Sequence, residues 1–214
     1  LEIDSHIVLD GFYGPPEASE APGEGGFADA QIDQDGMLYA AHSATGRVLV
    51  YDTIKHKKFA ELAVGANPWM VYAKHPFAGI EHRYVVPNFG DESASVIDAK
   101  KSKVIATLPV ADRESFGVNY SPRAPNQAFL MNRFKQEIAV LDTQDMSLVD
   151  QIDVGGTTET AATSADGKYI VAAVSSANAV VVIDAATRRI VRTFTDVGKY
   201  PWSVTIPNGQ NYCH

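Results

Sequence analysis

Val48-Leu49-Val50-Tyr51-Asp52-Thr53 is an alternating, β-branched run ended by Asp and a small residue, and the chain repeats it three times. The copies are Ala94-Ser95-Val96-Ile97-Asp98-Ala99, Ile138-Ala139-Val140-Leu141-Asp142-Thr143 and Val180-Val181-Val182-Ile183-Asp184-Ala185. Their aspartates stand 46, 44 and 42 residues apart. A strand that runs straight into a tight turn has this form, with the Asp carboxylate available to accept turn amides.

Each anchor is followed by a second alternating run: Phe59–Val64, Val104–Val110, Leu148–Val154 and Ile190–Phe194. Val64-Gly65, Val154-Gly155 and Val197-Gly198 close three of the four repeats, and Gly there permits a sharp reversal. Ahead of each anchor lies a strand with an aromatic near its start, at Leu38–Ala41, Tyr84–Val86, Phe129–Met131 and Tyr169–Val171. The turn pairs Asp35-Gly36 and Asp166-Gly167 precede two of them. A further strand opens each unit, at Phe27–Ile32, Trp69–Ala73, Phe116–Tyr120 and Glu159–Thr163. Four strands per unit, joined by tight turns and without helical periodicity, predict an all-β fold, a β-propeller with four-stranded blades of about 43 residues.

The reading gives four full blades and two half blades in a single domain over residues 1–214. Tyr200–Ile206 and Asn211-Tyr212-Cys213 repeat the first two strands of a blade, while Leu1–Asp4 and His6–Leu9 read as the end of an anchor and an outermost strand. The halves either meet to close a five-bladed ring or belong to a six- to eight-bladed one; the clipped Leu1–Asp4 half favours the second. Exposed sheet edges would then call for a partner chain or an oligomer. Residues 11–26, rich in Gly, Pro and Glu, read as a loop between blades.

The charge of −8, from 18 Lys and Arg against 26 Asp and Glu, argues against nucleic acid as the main partner. No apolar run reaches the roughly 20 residues of a bilayer span. With a single cysteine, Cys213, no internal disulfide forms. Protein partners and small ligands remain.

Tyr84-Val85-Val86-Pro87-Asn88, Ser95-Val96-Ile97-Asp98 and Val104-Ile105-Ala106-Thr107-Leu108 together resemble the YVTN-type β-propeller repeat. Pro68-Trp69 and Pro201-Trp202 look like the Pro-Trp step that opens that repeat. Pro87 interrupts the signature and Phe129-Leu130-Met131-Asn132 is a loose copy. The resemblance implies an exported protein, periplasmic or extracellular, of a family with many binding scaffolds. It also implies kinship with the d-type haem domains of nitrite reductases and with propellers that accompany quinone-cofactor dehydrogenases. It carries no catalytic residue over, and a fold alone does not specify an activity.

Blade geometry places the turns leading into the inner strands and those between second and third strands on one face, around the channel. Phe27, Asp29, Asn67, Ser115, Ser175 and Tyr200 fall there, with Trp69, Phe116, Glu159, Trp202, Arg133 and Asn88 as the candidate ligand-binding set. Aromatic and polar groups converging on a concave mouth suit a ligand; packing of the rings between blades is the alternative reading. His42 and His214 occupy near-equivalent positions and form a candidate metal pair for copper, zinc or haem iron; solvated strand-end histidines are the plainer reading. His75 and His82 fall on the opposite face. Gln210 replaces the first Cys of a Cys-x-x-Cys-His haem attachment motif, which argues against covalent haem.

No Gly-x-Ser-x-Gly elbow, Walker loop or dinucleotide-binding turn is present. The four anchor aspartates, one per blade, read as turn caps rather than a carboxylate array. The expectation is a non-catalytic binding scaffold acting through its channel mouth, with no cofactor specified. The competing expectation is a redox-associated propeller that holds or covers a haem, quinone or copper cofactor with a partner subunit. Hydrolysis at a channel metal would need more ligands than Asp29, Glu159 and Asn67.

Overall fold

The computed structural model describes residues 26–72 and 82–211. The expected clasp strands at Leu1–Asp4 and His6–Leu9, most of the 11–26 loop, His75, Cys213 and His214 lie outside them. Sixteen strands are described. The first blade is β1 (Phe27–Ile32), β2 (Met37–His42), β3 (Arg47–Asp52) and β4 (Lys57–Ala63), paired antiparallel in that order. The second has β5 (Arg83–Asn88), β6 (Ser93–Asp98) and β7 (Lys103–Leu108). The third is β8 (Ser115–Ser121), β9 (Ala124–Asn132), β10 (Glu137–Asp142) and β11 (Ser147–Asp153). The fourth is β12 (Thr158–Thr163), β13 (Tyr169–Val174), β14 (Ala179–Asp184) and β15 (Arg189–Phe194), with β16 (Gln210–Asn211) added beside β12. No helix among the described residues is long and apolar enough to cross a membrane.

The anchor aspartates cap their turns, as expected from their spacing. Asp52 Oδ1 accepts the amides of Ile54 and Lys55, Asp98 that of Lys101, Asp142 those of Gln144 and Asp145, and Asp184 that of Thr187. Four residues after each Asp the backbone turns left-handed, at His56, Ser102, Met146 and Arg188. Each outer strand then carries a one-residue bulge, which skips Phe59, Ile105, Val149 and Val191 in the pairing. A second left-handed residue precedes each anchor strand, at Gly46, Glu92, Gln136 and Asn178. Gly stands at only one of these four positions, so the sequence gives little sign of them.

Burial opposes the Asp98 charge, but the Lys101 amide and the cations Arg83 and Lys101 outweigh it and hold the carboxyl below its usual range. Asp184 is lowered chiefly by the Thr187 amide, and Asp52 by the backbone and side chain of Lys55. Groups depressed in the folded state contribute stability above the unfolded carboxyl value, about 4, and lose it as pH falls through the folded value. Denaturant midpoints should therefore fall steeply below about pH 4. Asp98→Asn should cost about 1 kcal/mol at pH 7 and flatten part of that acid limb.

The cores lie between blades. Tyr39, Val48, Val50 and Leu62 of the first blade meet Tyr84, Val86 and Ile97 of the second. Val85, Ala94 and Val96 meet Val118, Leu130 and Leu141 of the third, whose other face packs Phe129, Ile138 and Val140 on Ile170, Val181 and Ile183. Polar links cross the same seams: Tyr120 Oη donates to the Tyr72 carbonyl at 2.7 Å and accepts the Val85 amide at 3.2 Å.

Two expectations change. The inner strand at Trp69–Ala73 reduces, among the described residues, to bridges at Pro68–Asn88 and Tyr72–Val85. Pro68 and Pro87 lack the N–H that a continuous ladder would use. The strand expected at Tyr200–Ile206 is also absent, so the described residues form no terminal half blade. Pro201 cannot donate there, and the Asn211 side chain closes a local turn on the Ile206 backbone. The chain's last described residues pair instead with Ala162 and Thr163 on the free edge of β12.

Candidate functional site

The loops after β2, β5, β9 and β13 lie on the same face as those leading into the inner strands. Trp69, just ahead of the second blade's inner segment, stacks on Phe89 with ring centroids 5.3 Å apart and planes within 11°. Phe116 on β8 meets both edge-on, at 5.4 Å from Trp69 and 5.5 Å from Phe89. Trp202 completes the row 6.1 Å from Phe116. Phe89 is buried and Trp202 is 41 % exposed, so the row runs from an enclosed end to an open one.

Arg133, the first residue after β9, lies over this row. Its guanidinium carbon is 5.4 Å from the Trp202 ring centroid and 5.8 Å from that of Phe116. Nη1 donates to Glu114, Nη2 to Tyr200 Oη at 3.2 Å, and Nε to Glu159 Oε1 at 3.3 Å. Glu159 Oε2 is nearer to Nε, at 3.1 Å, but off the hydrogen-bonding direction. Burial disfavours the Arg133 charge, yet the bonds to Glu114 and Tyr200 and the nearby carboxylates outweigh it and push its pKa up. The guanidinium is therefore a permanent cation.

Glu159 has no exposed side-chain surface and accepts the Ser175 hydroxyl at 2.6 Å as well. Tyr200 has a left-handed backbone with φ 51°, as does Asn67, and each precedes a Pro-Trp pair. A tyrosine before proline is strained in that region. The Asn178 side chain and Arg133 hold it there, with Asn178 accepting the Tyr200 amide at 2.8 Å.

Five of the six residues expected to bind ligand thus come together: Trp69, Phe116, Glu159, Trp202 and Arg133. Asn88 is buried to one side, its amide donating to the Ser93 and Ser95 hydroxyls. A Cβ on Gly65 would collide with that amide, so this Gly is needed for close approach and not for a left-handed turn; Gly155 and Gly198 do turn left-handed. His42 is buried, with Nδ1 hydrogen-bonded to Thr45 at 2.9 Å and its ring edge-on to Phe27 at 5.0 Å. Its proposed mate His214 lies outside the described residues, among which no group of three or more potential ligands gathers. Phe89 and Glu114 belong to the cluster and were absent from the sequence-derived set. Phe89 was findable, because it follows Asn88 as Arg133 follows Asn132.

The sequence model of the YNCE-like beta-propeller family matches residues 88–208, more than half of the chain. The chain belongs to this family. The match runs from the end of β5 through the fourth blade of the YNCE-like propeller and takes in Phe89, Glu114, Phe116, Arg133, Glu159, Tyr200 and Trp202. No curated protein matches. Among solved structures, the chain is similar to Kuenenia stuttgartiensis hydrazine synthase, with TM-score 0.67 and 24 % identity over 87 % of this chain and 52 % of that one. It is also similar to dihydro-heme d1 dehydrogenase NirN in complex with DHE, with TM-score 0.62 and 17 % identity over 78 % and 37 % of the two chains. The YNCE-like chain thus spans about half the length of the first and less of the second. At these identities the likeness shows the fold.

Proposed function

We propose that this chain supplies a β-propeller binding module, exported to the periplasm or cell exterior, whose channel mouth recognises a small ring-bearing ligand or a ring-bearing segment of a protein partner. One observation carries the reading. Trp69, Phe89, Phe116 and Trp202 form a continuous aromatic row that opens toward solvent at Trp202, with the fixed cation Arg133 over its open end. Such a row offers apolar area and π faces, while Arg133, Glu114 and Tyr200 supply directional polar groups.

The redox-associated alternative draws on the fold shared with dihydro-heme d1 dehydrogenase NirN. A planar macrocycle would stack on the exposed Trp202 alone, since Phe116 stands edge-on to Trp69 and Phe89 and is tilted 55° from Trp202. His42 is the candidate axial ligand for iron; with its Nδ1 engaged by Thr45, it would hold the metal through Nε2.

Trp69 and Trp202 are the chain's only tryptophans, so tryptophan emission, excited beyond the tyrosine band, reports the mouth. Titration with haemin, a soluble quinone and nicotinamide is expected to give saturable quenching with at least one probe, weakened about tenfold or more by Trp202→Ala. Absence of quenching with all three would overturn the small-ligand reading. A Soret shift with haemin that His42→Ala abolishes would favour the cofactor-holding alternative.

A further inference from the structure

Six of the chain's ten lysines stand on two neighbouring turns. Lys55, Lys57 and Lys58 lie where β3 turns into β4, and Lys100, Lys101 and Lys103 where β6 turns into β7; all six are exposed. The turns adjoin, because Ala60 of the first blade and Ala99 and Val104 of the second pack into one seam. Both lie on the face opposite the mouth, where the anchor strands end. The turn itself does not require cations. In the third blade the positions of Lys100, Lys101 and Lys103 are taken by Gln144, Asp145 and Ser147, under the same aspartate cap and before the same bulged outer strand. Lys55 and Lys101 return to the capping aspartates Asp52 and Asp98, at 3.1 and 3.5 Å, and Lys58 to Glu61 at 3.4 Å. Lys57, Lys100 and Lys103 enter no ion pair among the described residues. Asp33 and Asp35 sit on the inner side of this face, where Asp33 accepts the Tyr84 hydroxyl at 2.9 Å and Asp35 faces His82 at 3.6 Å. Ile54 on the first turn is 74 % exposed, and Phe59 just beyond it is 54 % exposed.

We infer that these two turns are a docking surface for a bilayer containing anionic phospholipid. Lysine is a compact, strongly hydrated point charge, and it is depleted at protein–protein interfaces, where arginine and aromatic rings are enriched. The nearest arginine, Arg83, is tied to Asp98 at 2.8 Å. Exposed lysines on protruding turns therefore suit laterally mobile anionic headgroups better than the fixed surface of a protein. Ile54 supplies an apolar tip that enters the headgroup region beside them. The chain's overall charge of −8 does not oppose this, because at physiological salt charges more than about 8 Å apart are largely screened and the nearest face decides. Docking by this face points the mouth away from the bilayer, and the inference does not rest on what the mouth binds.

Co-sedimentation of the 214-residue chain with vesicles tests this. Vesicles of phosphatidylcholine mixed with phosphatidylglycerol are expected to carry the protein down at about 0.1 M salt and release it at about 1 M, whereas phosphatidylcholine alone leaves it in solution. The triple variant Lys57→Ser, Lys100→Gln and Lys103→Ser installs the residues the third blade carries at these positions. It should bind about a hundredfold more weakly, at about fivefold per lysine. Removing the same charge from the mouth side, with Arg113→Gln, Lys135→Gln and Lys199→Gln, should change binding by less than about threefold. Equal weakening by the two triples would overturn the inference, because net charge and not this face would then act. Equal binding to both kinds of vesicle, or binding to neither, would also overturn it; retention on heparin without vesicle binding would assign the lysines to a soluble polyanion instead. Should a variant not fold, acetylation of the unaltered chain decides. On anionic vesicles Lys57, Lys100 and Lys103 should be protected while Lys135 and Lys199 stay reactive, and uniform labelling would overturn the inference.

Discussion

Arg133→Met is expected to lower the unfolding free energy by about 3–5 kcal/mol, the range for stranding one partner of a buried ion pair. Glu159 has no exposed side-chain surface and would keep only the Ser175 hydroxyl as a hydrogen-bond partner. Glu114, at 31 % side-chain exposure, would be hydrated once released, so most of the loss belongs to Glu159. The double variant Arg133→Met with Glu159→Gln should recover much of it, because the charge and the partner leave together. Urea unfolding followed by circular dichroism measures both. A loss below about 1 kcal/mol for the single variant would mean that water reaches Glu159, and that the mouth is wetter than its geometry implies. The Arg133–Tyr200 contact also predicts that this variant loosens Tyr200 and Trp202, seen as a red shift in tryptophan emission.

Phe129→Ala should cost about as much, roughly 3–5 kcal/mol, by opening a cavity between the third and fourth blades. Phe129 is fully buried among Met131, Ile138 and Val140 of its own blade and Ile170 and Val181 of the next. Residues on both sheets are held by their ladders, which limits collapse into the space. Val171→Ala, the equivalent change in the fourth blade, removes less volume from a partly exposed site and should cost under about 1 kcal/mol. The two variants can be compared by denaturant midpoint at constant slope. Similar losses would mean that blade position does not govern the cost.

The strands were legible because the same 42- to 46-residue pattern is written four times, so each blade corrected the reading of the others. Asp52, Asp98, Asp142 and Asp184 identified their turns for a local reason: a short carboxylate after a strand bonds the next amides whatever the blade packs on. The mouth was legible in part, since strand alternation and loop length assign Trp69, Phe116, Arg133, Glu159 and Trp202 to one face. Arg133 meets Glu114 within the third blade, beside the Ser115–Asn132 pair, but alternation could not say that it reaches Tyr200, 67 residues away, because that contact depends on how the third and fourth blades are arranged.

By itself, then, the sequence determined the β class, the blade period, the turn chemistry and the face that carries the candidate site. These follow from interactions within about 15 residues of chain, between neighbouring strands of one blade. Tertiary structure alone decided the aromatic row and its arginine clamp, the burial of Asn88 and His42, and the partial exposure of Val182 where its three equivalents are enclosed. It also decided that Asn211 pairs with the β12 edge instead of extending a new blade. A valine at a repeat position reads the same in every blade; its burial depends on whether another sheet stands about 10 Å away, and no local pattern records that neighbour.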